Sequence, residues 1–444
     1  MKYRMVWSAG LVAAIVLSLS GAGPATETIP YDPVNYAALA NANAPDIPAG
    51  TEITFQNWQR YKQYMPLGVQ ALWEGRFPYH FDPANPDYHM AVGPTIPVRL
   101  PRHVISDTEK YAGQTKLKSL PSGGYGVDGY MAGVPFPDPK EPQLAYKITY
   151  NVFYRFYPLI FYSYTMLDVV DKYGNETYNK VTPIYYKLMH LSDDRAPFVN
   201  APYADGFLIS QHAEVTEPEQ SRYTNIVNLT PDNPVAEPEI YIFLPTLRRS
   251  LRLSSAARCA PSLGTDFIND DSEGFLNSPG MFKAQLLGEK RILSLQHMDA
   301  KTWTDLASFK VKGPVPRWPR PVAGKWELRD AYVVAYTPVP ALGRFCYGVR
   351  VAFLDKEDWM PLAFDVYDAN RNLWKLFLQS TRPLKLDNGE ETILSIGDAQ
   401  VLDLEATHLS FALYGGRPDI KDVPAVARNV EIWAFPGSLT QVMK

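Results

Sequence analysis

The residues best placed to do chemistry lie in the run Tyr241-Ile-Phe-Leu-Pro-Thr-Leu-Arg-Arg-Ser-Leu-Arg-Leu253. Pro245-Thr246 predicts a turn between two strands. In the second strand, alternation puts Arg248, Ser250 and Arg252 on one face and Leu247, Arg249, Leu251 and Leu253 on the other. Guanidinium forks pair well with phosphate or carboxylate, so Arg248, Arg249 and Arg252 are candidates for a polar rim that steers an anionic head group. The same spacing also suits an exposed strand face paired with nearby acids. Gly124-Tyr-Gly-Val-Asp-Gly129 spells GxGxxG, but Pro121-Ser precedes it and Gly133-Val-Pro-Phe-Pro137 follows. The phosphate-binding version needs a strand before and a helix after, so a loop is expected here. Asn269-Asp-Asp-Ser-Glu273 and Asp365 with Asp368-Ala-Asn-Arg-Asn372 gather oxygen ligands, but the first, though followed by Gly274, has Gly280 where a calcium loop needs its twelfth-position glutamate, and the second has no glycine, which predicts structural turns. The seven histidines (His80, His89, His103, His190, His212, His297 and His408) are spread singly. There is no nucleophile elbow, zinc-helix signature, Walker loop or Cys/His cluster. No catalytic residue, metal site or cofactor is therefore nominated, and a hydrolase built from dispersed carboxylates is the only enzymatic alternative. Cys259 and Cys346 form either one disulfide or two buried thiols, because sequence spacing fits both. Asn175 and Asn228 begin sequons, which chance alone also produces.

Composition bounds the scaffold that carries these residues. The chain has 444 residues, a net charge of −4, 46% hydrophobic residues, 39 Pro, 28 Tyr, 20 Phe and 9 Trp. This is ample material for a core, and the Tyr/Pro bias favours strands and ordered loops over helical bundles. A near-neutral chain has no global basic field to hold nucleic acid, so none is expected as a partner. Lys2 and Arg4, the apolar run 8–19 and the small residues 20–25 read as a secretory signal peptide over residues 1–25, cleaved near Ala22 or Ala25. No Cys lies near that exit to carry a lipid anchor. Residues 26–139 read as an N-terminal arm, a helix over Thr51–Glu74 interrupted at Pro66, and Pro/Gly-rich loops wrapping a sheet. Residues 140–444 read as an antiparallel β domain. Its strands are expected at Tyr146–Phe156, Glu239–Leu244, Leu247–Leu253, Tyr332–Thr337, Arg344–Phe353, Leu362–Tyr367 and Leu373–Gln379, the last two joined as a hairpin through Asp368–Asn372. A helix is expected over Glu214–Asn228, interrupted at Pro218.

Several ordered blocks resemble an exported Gram-negative family of uncharacterised function that is distantly related to the outer-membrane lipoprotein-sorting (LolA/LolB-like) proteins. They are Gly133–Pro137, Leu244–Ser254, Gly264-Thr-Asp-Phe-Ile-Asn-Asp-Asp271, Phe282 with Leu287–Lys290, Trp326–Arg329, and Val349–Trp359 continuing through Tyr367–Trp374. The resemblance implies a mainly β protein with some α: a large curved antiparallel sheet or half-open β-barrel, closed by helices and long loops. It implies an apolar cavity for acyl chains or another hydrophobic ligand, in the periplasm or at the outer membrane. Aromatic-rich strand faces suit such a guest, so Tyr150, Tyr154, Tyr347, Val349, Val351 and Phe353 are candidates for the lining. The expected function is a non-enzymatic binding or carrier protein for a lipid, acyl or other hydrophobic ligand, with an envelope transporter or outer-membrane protein as a further partner. The alternative is an accessory or interaction subunit of an envelope transport assembly. Oligomeric state is not legible.

Overall fold

From residue 160 onward, aromatic and branched side chains recur at alternate positions, and the chain lays them down as one 14-stranded antiparallel sheet. The computed structural model describes residues 28–39, 41–77, 88–192, 201, 203–274, 278–298, 304–305, 310–311, 325–343, 345–386, 388–394, 398–414 and 425–441. The segment expected to be a signal peptide lies outside the described residues, as do His80 and Arg344. In chain order the strands of this sheet are β1 (Ile160–Tyr162), β2 (Thr165–Val170), β3 (Glu176–Lys187), β4 (Phe207–Glu217), β5 (Asn225–Pro231), β6 (Glu239–Leu244) and β7 (Arg249–Arg252). They continue as β8 (Phe282–Gln296), β9 (Lys325–Pro338), β10 (Val349–Asp355), β11 (Pro361–Tyr367), β12 (Leu373–Gln379), β13 (Ala399–Asp403) and β14 (His408–Tyr414).

Their spatial order is β7-β6-β5-β4-β3-β2-β14-β13-β12-β11-β10-β9-β8, with β1 beside β3. The sheet is thus two meanders joined where the second strand meets the last, through pairs such as Leu167 opposite Ala412. Strands β7 and β8, the two outer edges, are not paired with each other, so the sheet is a half-open barrel. The connector between those edges, residues 253–281, holds 3-10 turns at Ser255–Cys259, Ser262–Gly264, Asn269–Gly274 and Pro279–Met281 among its described residues.

Both faces of the C-terminal meander are packed. Its outer face, including Val349, Val351, Phe353 and Leu376, is buried beneath the N-terminal layer through Tyr36, Trp58, Met65, Leu72 and Trp73. The helices before the sheet are α1 (Pro33–Leu39), α2 (Leu67–Trp73), α3 (Arg102–Tyr111) and α4 (Leu144–Phe153), and the meander's inner face, including Val334, Ala352, Phe364 and Val401, meets α4 and the 253–281 connector. One polar anchor fixes the outer layer. Asp365, fully buried, accepts hydrogen bonds from Tyr36 Oη (2.8 Å) and from the backbone N–H groups of Leu67 and Gly68 (both 3.0 Å). Over the N-terminal meander the outer face is covered instead by residues 425–441, with Trp433 5.4 Å from the His212 ring and Ala427 O accepting from Tyr186 Oη at 2.7 Å. Among the described residues no helix is long and apolar enough to cross a membrane.

The sheet class agrees with expectation, but three local readings are corrected. Tyr146–Phe156 is not a strand: Leu144–Phe153 is the helix α4. Seven of its residues, Ala145 and Ile148 through Phe153, are buried, so its hydrophobicity runs all round and offers no polar stripe to reveal the 3.6 period. Glu214–Asn228 is not a helix but the end of β4, a turn and the start of β5; Pro218 and the positive φ of Tyr223 (65°) break the chain into a hairpin. Thr51–Glu74 is helical only over Leu67–Trp73, beginning after Pro66; before it, Glu52–Ile53 pairs in a short β-ladder and Trp58–Tyr64 forms 3-10 turns.

Candidate functional site

Because alternate strand residues face opposite sides, one set from seven neighbouring strands faces the inside of the barrel. Thr165 and Leu167 of β2, Val181, Pro183 and Tyr185 of β3, Gln211 and Ala213 of β4, and Ile226 and Asn228 of β5 supply one wall. Phe377 and Gln379 of β12, Ala399 of β13, and Ala412 and Tyr414 of β14 supply the other. Together with connector residues between Ser262 and Asp271 they line a mostly apolar, partly open cavity of about 140 Å³. Seven strands laid flat would span roughly 29 Å at about 4.8 Å per spacing. A single small cavity touching all of them therefore requires strong curvature.

The connector is a lid held by polar latches. Asp271 accepts hydrogen bonds from Arg350 Nη2 (2.8 Å), Tyr347 Oη (2.8 Å) and the Ile268 N–H (2.9 Å). Burial, followed by the adjacent Asp271 charge, pushes the Tyr347 phenol well above its usual range, so it remains a neutral donor. Arg258 grips Asp270 through two bonds of 3.1 and 2.6 Å, both side chains being buried. Burial raises the Asp270 carboxyl and the Arg258 charge opposes that rise. Asp266 accepts from Ser410 Oγ at 2.6 Å, and its carbonyl from Lys375 Nζ at 2.6 Å. Cys259 and Cys346 form a disulfide between the lid and the approach to β10, across 87 positions of sequence. The acidic run at 269–273 is accordingly a 3-10 turn whose two aspartates are ion-paired. The block Gly264–Asp271 is the lid itself. The GxGxxG run contributes packing: it lies on the hairpin of Lys116–Ser119 and Tyr125–Asp128, and a Cβ on Gly124 would sit 2.5 Å from the Gly280 carbonyl oxygen at the lid's end.

The six residues proposed from sequence as a lining fall in three places. Val349, Val351 and Phe353 point to the outer face, at most 1% exposed, under the N-terminal layer. Tyr150 and Tyr154 lie on or just beyond α4 in an aromatic cluster with Tyr130 and His190; Tyr154 Oη donates to Asp232 at 3.0 Å, and His190 Nε2 lies 2.9 Å from that carboxylate. Tyr347 latches the lid from the inner face. The arginine candidates are exposed: Arg248 sits in the turn before β7 with φ of 49°, Arg249 opens that edge strand, and Arg252 pairs with Glu239 at 2.8 Å. None of these nine borders the cavity. The lining that sequence reasoning missed is mixed in polarity: Gln211 and Asn228, directly opposite on β4 and β5, look like solvent-facing positions by residue type. The sequon residue Asn228 is 5% exposed and bonds Gln211 Oε1 at 3.1 Å, so its amide is unsuited to carry a glycan.

A second depression, of about 420 Å³, lies near Asp46, Gly93–Thr95 and Lys356. Its walls are charged and paired: Arg291 with Asp46 (2.7 Å) and Asp330 (3.2 Å), Arg329 with Asp355 (2.7 Å) and Glu357 (2.9 Å). It offers little to an apolar guest. Among the described residues no group of three or more His, Cys, Asp or Glu could hold a metal ion.

An open antiparallel half-barrel with a latched lid over a small inner cavity is the class this fold and site define. The chain belongs to the family described as protein of unknown function (DUF1329), whose model matches residues 52–419. Solved structures similar to this chain include the following three. A DUF1329 family protein from Desulfovibrio piger is 14% identical with a TM-score of 0.45, the alignment covering 67% of this chain and 98% of that one. A domain named for outer membrane lipoprotein sorting, from Vibrio parahaemolyticus, is 11% identical with a TM-score of 0.44 and coverages of 66% and 99%. A LolA superfamily protein from Nitrosomonas europaea is 15% identical with a TM-score of 0.33 and coverages of 61% and 87%. No functionally curated protein matches the chain.

Proposed function

We propose that this is a non-enzymatic binding or carrier protein for a hydrophobic ligand, working in the periplasm or at the outer membrane. The observation that carries the proposal is the partly unfilled inner face of the N-terminal meander: Leu167, Val181, Ile226, Leu263 and Phe267 line space that the protein's own side chains do not fill. Interiors normally pack to crystal-like density, so an apolar space of this size is suited to a guest. Its volume is comparable to that of an aliphatic cavity of about 150 Å³ that takes up benzene. It therefore suits a compact molecule or the end of an acyl chain, not an entire diacyl lipid. A lipoprotein-sorting-like role would use the same cavity for one acyl terminus, handed on by a transporter or outer-membrane partner.

Solvent extraction of gently purified protein followed by mass spectrometry tests the reading. An apolar compound at near-stoichiometric amount, or uptake of a short fluorescent fatty acid, is the expected result. A clean extract together with no uptake would move the assignment to an interaction subunit of an envelope assembly.

A further inference from the structure

Among the polar groups of the cavity lining, Asn228 carries an oxygen that an apolar guest alone would leave unsatisfied. Asn228 is 95% buried, since its exposure is 5%, and it lines the cavity. Its Nδ2 donates to Gln211 Oε1 at 3.1 Å, while its Oδ1 has no hydrogen-bond partner among the described residues. A buried carbonyl oxygen without a donor is costly, because the hydrogen bond it made to water in the unfolded chain is not replaced. The lining holds no lysine or arginine among the described residues, and its one carboxylate, Asp271, is already bonded to Arg350 and Tyr347. A ligand carboxylate or phosphate would enter with nothing to balance its charge.

Resting on the carrier reading above, we infer that the cavity selects a neutral, hydroxyl-bearing apolar molecule whose hydroxyl meets the Asn228 amide. A hydroxyl both donates and accepts, so it satisfies this amide whichever way its oxygen and nitrogen are turned. A ring or chain of about six to eight carbons matches the volume, by comparison with the benzene-sized cavity. The apolar body lies against Leu167, Ile226 and Phe267, and the hydroxyl points to β5.

The test uses three probes of one size, benzene, phenol and benzoate, titrated into the full chain at pH 7 and followed by NMR shifts or calorimetry. Phenol is expected to bind roughly three- to tenfold more tightly than benzene, the worth of one net hydrogen bond, and benzoate not at all. N228L should erase the phenol preference, so that phenol and benzene bind the variant equally, whatever their common affinity. Should N228L fail to fold, the wild-type ratios still decide. Equal binding of phenol and benzene, binding of benzoate, or a phenol preference that survives N228L overturns the hydroxyl assignment while leaving the cavity as an apolar site. Failure of all three probes to bind overturns the carrier reading and this inference together.

Discussion

The two meanders are built from the same kind of strand, yet they differ in what covers their inner face. In the C-terminal meander, Ala352 and Phe364 meet α4 and the connector, and Val351 and Phe353 on the reverse meet the N-terminal layer. In the N-terminal meander, residues 425–441 cover the outside, while much of the inside faces a cavity under the latched lid. Strands β8–β11 therefore act as the rigid wall, and the N-terminal meander together with β12–β14 as the place where a guest completes the core. The difference teaches that aromatic content is a poor guide to the ligand face. Much of the aromatic packing lies away from the cavity, around Tyr150, Phe153 and Tyr154 and under the N-terminal layer, while the cavity mixes small, branched, amide and aromatic side chains.

The sharpest way to break this comparison is to hollow out the wall. Phe353→Ala should cost about 3–5 kcal/mol, as for a fully buried aromatic, measured by urea denaturation. A much smaller loss would mean that the C-terminal half is not close-packed. Next comes the lid. Cys346→Ser removes a cross-link closing 87 positions and should lower stability by about 2–4 kcal/mol, with a larger relative loss of ligand affinity because the lid roofs the cavity. Unchanged affinity would separate the lid from the site.

A pair of identical substitutions then compares the halves directly. Ala352→Leu, where the alanine is fully buried in the wall, should cost about 1–3 kcal/mol by overpacking. Ala213→Leu, facing the cavity, should cost under about 1 kcal/mol, yet abolish ligand binding. Equal costs would contradict the contrast.

The smallest effect is a pH dependence of the wall's anchor. Burial pushes Asp365 up to about 6 and Lys290 down to about 7. Because the folded Asp365 holds its proton above the unfolded pKa, its contribution to stability is complete below about pH 4 and declines as pH rises through 6. Lys290 works in the opposite sense: its depressed folded pKa makes stability rise from pH 7 towards 10. A shallow minimum near pH 6–7 is expected in thermal melts, and Lys290→Met should remove the alkaline rise. A rise that persists in that variant would assign it elsewhere.

Legibility in the sequence followed local contrast. Strands β11 and β12 and their turn were readable because alternation is interrupted by Asp368–Asn372, where Asp368 Oδ1 accepts the Asn372 N–H at 2.7 Å. Helix α4 was not, because a segment buried on every side shows no periodic contrast. The acidic lid stood out as a cluster, but only the fold brings Arg258 and Arg350 to its aspartates. The cavity was the least legible part. It draws only a few residues from each of seven strands and a lid, and its amides at 211 and 228 resemble surface positions until the register places them opposite each other. The curvature that joins those positions belongs to the whole sheet, not to any window of sequence.

Methyl-resolved NMR during a benzene titration tests the central claim most directly. Shifts confined to Leu167, Val181, Ala213, Ile226 and Ala412, with Val349 and Val351 unmoved, are the predicted result. No shifts, or shifts spread evenly through the C-terminal wall, would contradict it.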